Sequence, residues 1–129
     1  MRTHYPKDIE VLALHYAIVE KTGGSQGVRD LHLFASLIEK PKASFGGVEM
    51  YPTLFAKAAV HLEGFAAYHV FIDGSKRTAF AVAKRFLHIN GVDFKPRHND
   101  VEEFMVAVVE KKLKIPSIAT WLEENSKKE

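Results

Sequence analysis

The stretch His69-Val70-Phe71-Ile72-Asp73-Gly74-Ser75-Lys76-Arg77-Thr78 holds the chain's densest set of side chains able to do chemistry. His69 can take a proton from a hydroxyl near neutral pH. Asp73, acceptor-only when ionised, is the group one would place beside a magnesium ion that bridges to phosphate. Gly74 makes a turn into a helix that opens at Ser75 or Lys76, and such a turn gathers unpaired N–H groups at the positive end of a helix dipole. Lys76 and Arg77 add two full charges, and Arg can grip a phosphate with two donors at once. Phe71 is expected to anchor the loop in the core. Together these residues describe a site for a magnesium-bound polyphosphate beside a general base.

The elements that must hold this loop follow from spacing and punctuation. Pro6 opens a helix on which Ile9, Leu12, Tyr16 and Val19 recur at helical spacing, and Thr22-Gly23-Gly24 stops it. Asp30 caps a short helix carrying Leu31, Phe34, Leu37 and Ile38, ended by Pro41. Lys42 to Tyr51 is a loop around Phe45-Gly46-Gly47. Pro52 opens a helix running to about Ala67, with Phe55, Ala58, Ala59, Leu62 and Phe65 on one face. The helix after the loop, about Ser75 to Asn90, is apolar on much of its circumference, which predicts a central, buried element. Val92-Asp93-Phe94 is a short extended segment. Asn99 or Asp100, with Glu102 or Glu103 three residues on, forms a capping box for a further helix. A last helix from about Ser117 buries Ile118, Trp121 and Leu122 ahead of a polar tail. No alternating strand pattern stands out, so the expected class is all-α, a compact single domain over residues 1–129.

Composition bounds the function. With 129 residues, 47% hydrophobic and 26% charged, the chain suits one globular core. Eighteen Lys+Arg against sixteen Asp+Glu leave a net charge of +2, which argues against direct nucleic-acid binding. The absence of cysteine excludes disulfides and thiolate metal sites. No run reaches membrane-spanning length and no signal-peptide core precedes the first helix, so the expected location is the cytoplasm.

The order His69-x-Phe71-x-Asp73-Gly74-Ser75-Lys76-Arg77-Thr78 resembles the signature of the Doc (death-on-curing) toxins, the small branch of the Fic/Doc superfamily. Lys76 is the Doc-like feature, since the Fic branch generally carries Gly there. Gly46-Gly47, Tyr51-Pro52-Thr53-Leu54 and Phe86-Leu87-His88-Ile89-Asn90-Gly91 extend the likeness. The resemblance implies a Fic/Doc helical bundle with the helix after the signature at its centre. It implies a toxin that moves the γ-phosphate of ATP to a protein Ser/Thr hydroxyl, on a translation elongation factor, and so arrests translation. His69 would be the catalytic base. Asp73 would hold Mg2+, and Gly74, Ser75, Lys76 and Arg77 would hold the phosphates. Residues 42–51 would be a flap that helps dock the target, and an antitoxin segment would fold as a helix in a groove. Two alternatives stay open: an AMP-transferring enzyme, and a non-catalytic nucleotide- or partner-binding module.

The second alternative rests on Ser75, where the family carries Asn. Serine is shorter and offers one hydroxyl; it can still cap the helix, but phosphate positioning is expected to weaken. Thr78 either contributes a hydroxyl or bonds its own helix backbone. The other histidines (His4, His15, His32, His61, His88, His98) lack the company of His69, and His61 and His88, which lie on helices, are expected to be structural or solvated. Thr120-Trp121-Leu122-Glu123-Glu124-Asn125 fits the pattern by which some Fic enzymes inhibit themselves. The arginine such a Glu pairs with would stand at position 80, which here is Phe80. Control is therefore expected from another chain.

Overall fold

The first three helices begin where the sequence offers their free N–H groups an acceptor or a fitting charge. In the computed structural model, which describes residues 2–128, α1 spans Asp8–Thr22 with Asp8 and Glu10 in its first turn, where the dipole favours them. α2 spans Leu31–Glu39, and the Asp30 carboxylate accepts from the Leu33 amide at 3.0 Å as expected for a cap. A single 3-10 turn at Lys40–Lys42, with Pro41 at its centre, follows α2. α3 spans Leu54–Ala67, its N-terminus capped by the Thr53 hydroxyl, which accepts from the Ala56 amide at 3.0 Å. α4 spans Ser75–Ile89, α5 His98–Glu110 and α6 Ile115–Glu124.

α3 and α4 form the centre, and the expected all-α bundle holds. Ala58, Ala59, Val60, Leu62 and Phe65 of α3 are fully buried, as are Ala79, Val82, Ala83, Phe86 and Leu87 of α4. Small residues at these positions let the two backbones approach while Phe65 and Phe86 fill the space between neighbours. α6 buries Ile118 and Leu122 in the same core, and Phe104 of α5 stacks face to face on Trp121 with ring centres 3.9 Å apart.

Three local expectations are corrected. The core side of α1 is Val11, His15 and Val19, and Ile9, Leu12 and Tyr16 are left exposed. Both stripes have helical spacing, so periodicity alone could not choose between them. α5 starts at His98 with Arg97 at its cap; Asp100 pairs with the Arg97 guanidinium at 2.9 Å, so the capping box does not form. Short strands also appear. β1 (Ser44–Phe45) and β2 (Val48–Glu49) form a hairpin across Gly46-Gly47, both at positive φ, the conformation a two-residue hairpin turn demands. β3 (Val92–Phe94) pairs antiparallel with β4 (Ser126–Lys128), so the expected polar tail is instead tied back to the end of α4.

Candidate active site

The start of α4 is built around Gly74, which caps the helix at φ +78. A Cβ there would lie 3.1 Å from Val19 Cγ2 and 3.7 Å from the His15 ring, so conformation and space both call for glycine. The Gly74 carbonyl accepts the Thr78 amide at 3.0 Å, and no side chain of the cap residue covers the first N–H groups of the helix. This corrects one expectation. Ser75 does not cap; it is the first residue inside the helix, half-buried. Asp73 does not cap either, because its carboxylate turns away to the segment between α1 and α2, where Oδ2 accepts the Ser25 amide at 2.7 Å.

That segment clamps the whole loop. The Arg29 amide donates to the Val70 carbonyl at 2.7 Å, and the Ile72 amide donates to the Gly27 carbonyl at 3.1 Å. Val28 and Phe71 thereby form an isolated antiparallel bridge. Gly24, at φ +107, lies so close that a Cβ would meet the Asp73 side chain at 3.0 Å. Phe71 is buried as expected and forms a triangle with the rings of Phe34 and Phe65, whose centres lie 6.0 and 5.9 Å from its own.

His15 completes the clamp, and the sequence reading missed it. Its Nε2 lies 2.7 Å from the Asp73 carbonyl. A carbonyl only accepts, so Nε2 carries the proton and donates. The same ring stacks on Phe71 with centres 3.9 Å apart and planes 11° from parallel. The available signal was the stripe Val11-His15-Val19: a histidine in the middle of a buried face needs a polar partner.

His69 is exposed and holds φ +53, a left-handed conformation uncommon for a residue with a Cβ and typical of strained functional positions. Lys76 and Arg77 are exposed, and among the described residues neither has a carboxylate within ion-pair distance. Both open onto a cavity of about 690 Å³ between α4 and α5, floored by Phe80, Val101 and Met105 and edged by Lys84 and Lys95. His69, Asp73, Gly74 and Ser75 do not line that cavity. The loop thus faces two ways, with its carboxylate fixed toward α1 and its cations toward α5. Among the described residues no group of three or more His, Cys, Asp or Glu comes together as a metal cage. The exposed Asp73 carboxylate, three residues ahead of Lys76, fits Mg2+ that arrives on its phosphates, the mode in which one or two carboxylates suffice.

The remaining candidates sort cleanly. Thr78 is fully buried with Oγ1 unpartnered, so it does not bond back to its own helix. His61 is structural: burial, the largest influence, pushes its pKa down to about 4, against a weaker rise from its contact with the Ile38 backbone. Phe80 packs on Phe94 at 5.6 Å, and the Thr120 hydroxyl donates to the Pro116 carbonyl within its own helix, so position 80 offers packing where an inhibitory glutamate would need a cation. Tyr68, next to His69, has its phenol pKa raised by burial, with Glu63 and then Tyr51 adding to the shift.

The Fic/DOC family model matches residues 7–87. The chain is 40% identical over 102 residues to a protein of Mycolicibacterium smegmatis named "Toxin Doc", covering 78% of each. It is 36% identical over 83 residues to "Protein kinase doc" of Escherichia phage P1, covering 64% of this chain and 65% of that one.

Proposed function

The chain belongs to the Fic/DOC family, and from that membership we propose that it is a Doc-type toxin that phosphorylates a protein hydroxyl with ATP. The observation that carries this reading is the open, glycine-capped start of α4 with Lys76 and Arg77 unpaired, preceded by the exposed, left-handed His69.

The chemistry follows from those groups. The acceptor hydroxyl of a Ser or Thr, on a translation elongation factor by family likeness, gives its proton to His69. Its oxygen forms a bond to the γ-phosphorus as the bond from that phosphorus to the β-phosphate oxygen breaks, and ADP leaves. Proton transfer of this kind contributes about 10²–10⁴-fold. Lys76, Arg77 and the N–H groups after Gly74 would hold the phosphates, and positioning with charge neutralisation would supply most of the remaining rate. Asp73 would hold Mg2+, whose charge offsets that of the phosphates. The cavity between α4 and α5 has the size and apolar floor of a small-molecule site next to those cations. Arrest of translation would follow in the cytoplasm; among the described residues no helix is long and apolar enough to cross a membrane.

Lys76 favours γ-phosphoryl over AMP transfer, because its stem and charge fill space that glycine would leave for the nucleotide body. Control would come from an antitoxin whose segment folds as a helix on binding. Ile9, Leu12 and Tyr16, at 71%, 37% and 58% exposure, offer it an apolar groove beside Gln26, Gly27 and Val28. The test is to incubate the protein with lysate and ATP labelled at either the γ- or the α-phosphate. Label in protein from the γ-position alone is expected. Label from the α-position would mean AMP transfer, and nucleotide binding with no labelled protein would mean a binding module.

A further inference from the structure

Lys57 is a lysine where stability alone would favour an apolar residue. It lies in the first turn of α3, beside Ala58, Ala59 and Val60, and is 2% exposed. Burying an ammonium removes its hydration, and only close partners make that tolerable. Both of its partners belong to the segment ahead of α3: Nζ donates to Glu49 Oε1 at 2.9 Å and to the Tyr51 carbonyl. Glu49 is the last residue of β2 and pairs across the hairpin with Ser44. Beyond that base the hairpin is exposed on both strands, with Phe45 at 85% and Val48 at 69%, and Met50 just after β2 is 58% exposed. The Met50 amide closes the base by donating to the Ala43 carbonyl at 2.9 Å.

An apolar two-stranded ribbon in water has little to fix its direction. Lys57 supplies the missing constraint. Its head joins β2 and Tyr51 to the most enclosed helix of the fold, while its stem packs in the core. Just ahead of the hairpin, the Lys40 ammonium lies 5.8 Å from the centre of the Tyr68 ring, the neighbour of His69. We propose that Lys57 is a positioning residue that sets the posture of the 44–50 hairpin against the active-site loop through Glu49 and the Tyr51 carbonyl, and so tunes capture of the protein substrate without touching the nucleotide. The last clause rests on the phosphotransferase reading above.

Lys57→Met keeps the length of the stem and removes the charge. Because an apolar residue of similar volume commonly replaces a buried ion pair without loss, its melting temperature should be unchanged or higher. Hydrogen exchange at residues 44–51 should rise about tenfold. The KM for the labelled lysate protein should rise about tenfold, with nucleotide affinity and saturated rate within about twofold of wild type, which a merely structural lysine would not produce. Glu49→Ala, on the exposed partner, should reproduce the exchange and KM effects should Lys57→Met not fold. Unchanged hairpin exchange in the variants would overturn the proposal, and so would faster exchange with unchanged KM. A wild-type protein that labels nothing would sink the phosphotransferase reading instead, and the exchange comparison would still decide whether Lys57 holds the hairpin.

Discussion

The hairpin and the signature loop sit before and after the same helix, α3, and are held in opposite ways. Residues 69–74 are fastened along their length by two backbone hydrogen bonds to the 27–29 segment, by the Ser25 amide on Asp73 and by His15 from below. Residues 44–49 pair only with each other and are moored at the base by Lys57. The first arrangement suits groups that must meet a phosphate to within a fraction of an ångström. The second suits a surface that adapts to a partner, since segments with few buried contacts open at low free energy. A residue's distance from the chemistry therefore matters less here than which of the two fastenings it serves.

The sharpest break is His69→Ala. Transfer should fall by about 10²–10⁴-fold, and stability should move by no more than about 0.5 kcal/mol, because the side chain is exposed. Initial rates with γ-labelled ATP beside thermal melts decide it; an unfolded or fully active variant would remove His69 from the mechanism.

Next is the His15 hydrogen bond, where two substitutions separate donor from stack. His15→Gln keeps an N–H near Nε2 and should retain activity within a few fold. His15→Phe keeps a ring on Phe71 and loses the donor; a small displacement of Asp73 would then cost about 10²-fold. Equal activity in the two variants would mean that the hydrogen bond does not position the loop.

The core beneath both regions has its own pH response. The folded pKa of His61, about 4, lies below the ordinary 6.5, so the folded state binds fewer protons than the unfolded chain between those values. The stability of neutral His61 is complete above pH 6.5 and falls with pH down to about 4, by about 1.4 kcal/mol per pH unit and about 3 kcal/mol in all. Urea melts from pH 7 to pH 4 should show this slope, and His61→Leu should flatten it.

A pair of glycines compares the regions directly. Gly24→Ala forces a left-handed alanine and pushes on Asp73 from 3.0 Å, so it should cost about 2 kcal/mol and lower transfer. Gly46→Ala is also left-handed but meets nothing within 4 Å, so it should cost about 1 kcal/mol and leave nucleotide affinity alone. Calorimetry and ATP titration on both variants give the contrast; equal losses of nucleotide affinity would erase it.

The smallest effect belongs to Ser75→Asn. Ser75 is half-buried in the first turn and is not the cap, so the amide should fit without disturbing Gly74. It adds a donor and an acceptor where the proposed phosphates would sit, and nucleotide affinity or turnover should rise a few fold. A fall in both would show that the loop has adapted to serine.

The features legible in the sequence are those decided within a few residues. Asp30 and Thr53 each cap a helix through an amide three positions on, and Gly74 sets a turn by its own φ. The order His69 to Thr78 names the candidate chemistry for the same reason, since one turn joins the base, the carboxylate and the cations. What only the tertiary structure decided are choices between equally good local patterns and pairings across long separations. α1 carries two apolar stripes, and the one holding His15 is buried, where a carbonyl 58 residues away accepts its hydrogen bond. β4 formed because β3, more than thirty residues earlier, exposes an edge to it. Lys57 gave no local sign that it would be buried. Its position depends on Glu49 and Tyr51 meeting it in space, and a charge enters a core only after its partners are in place.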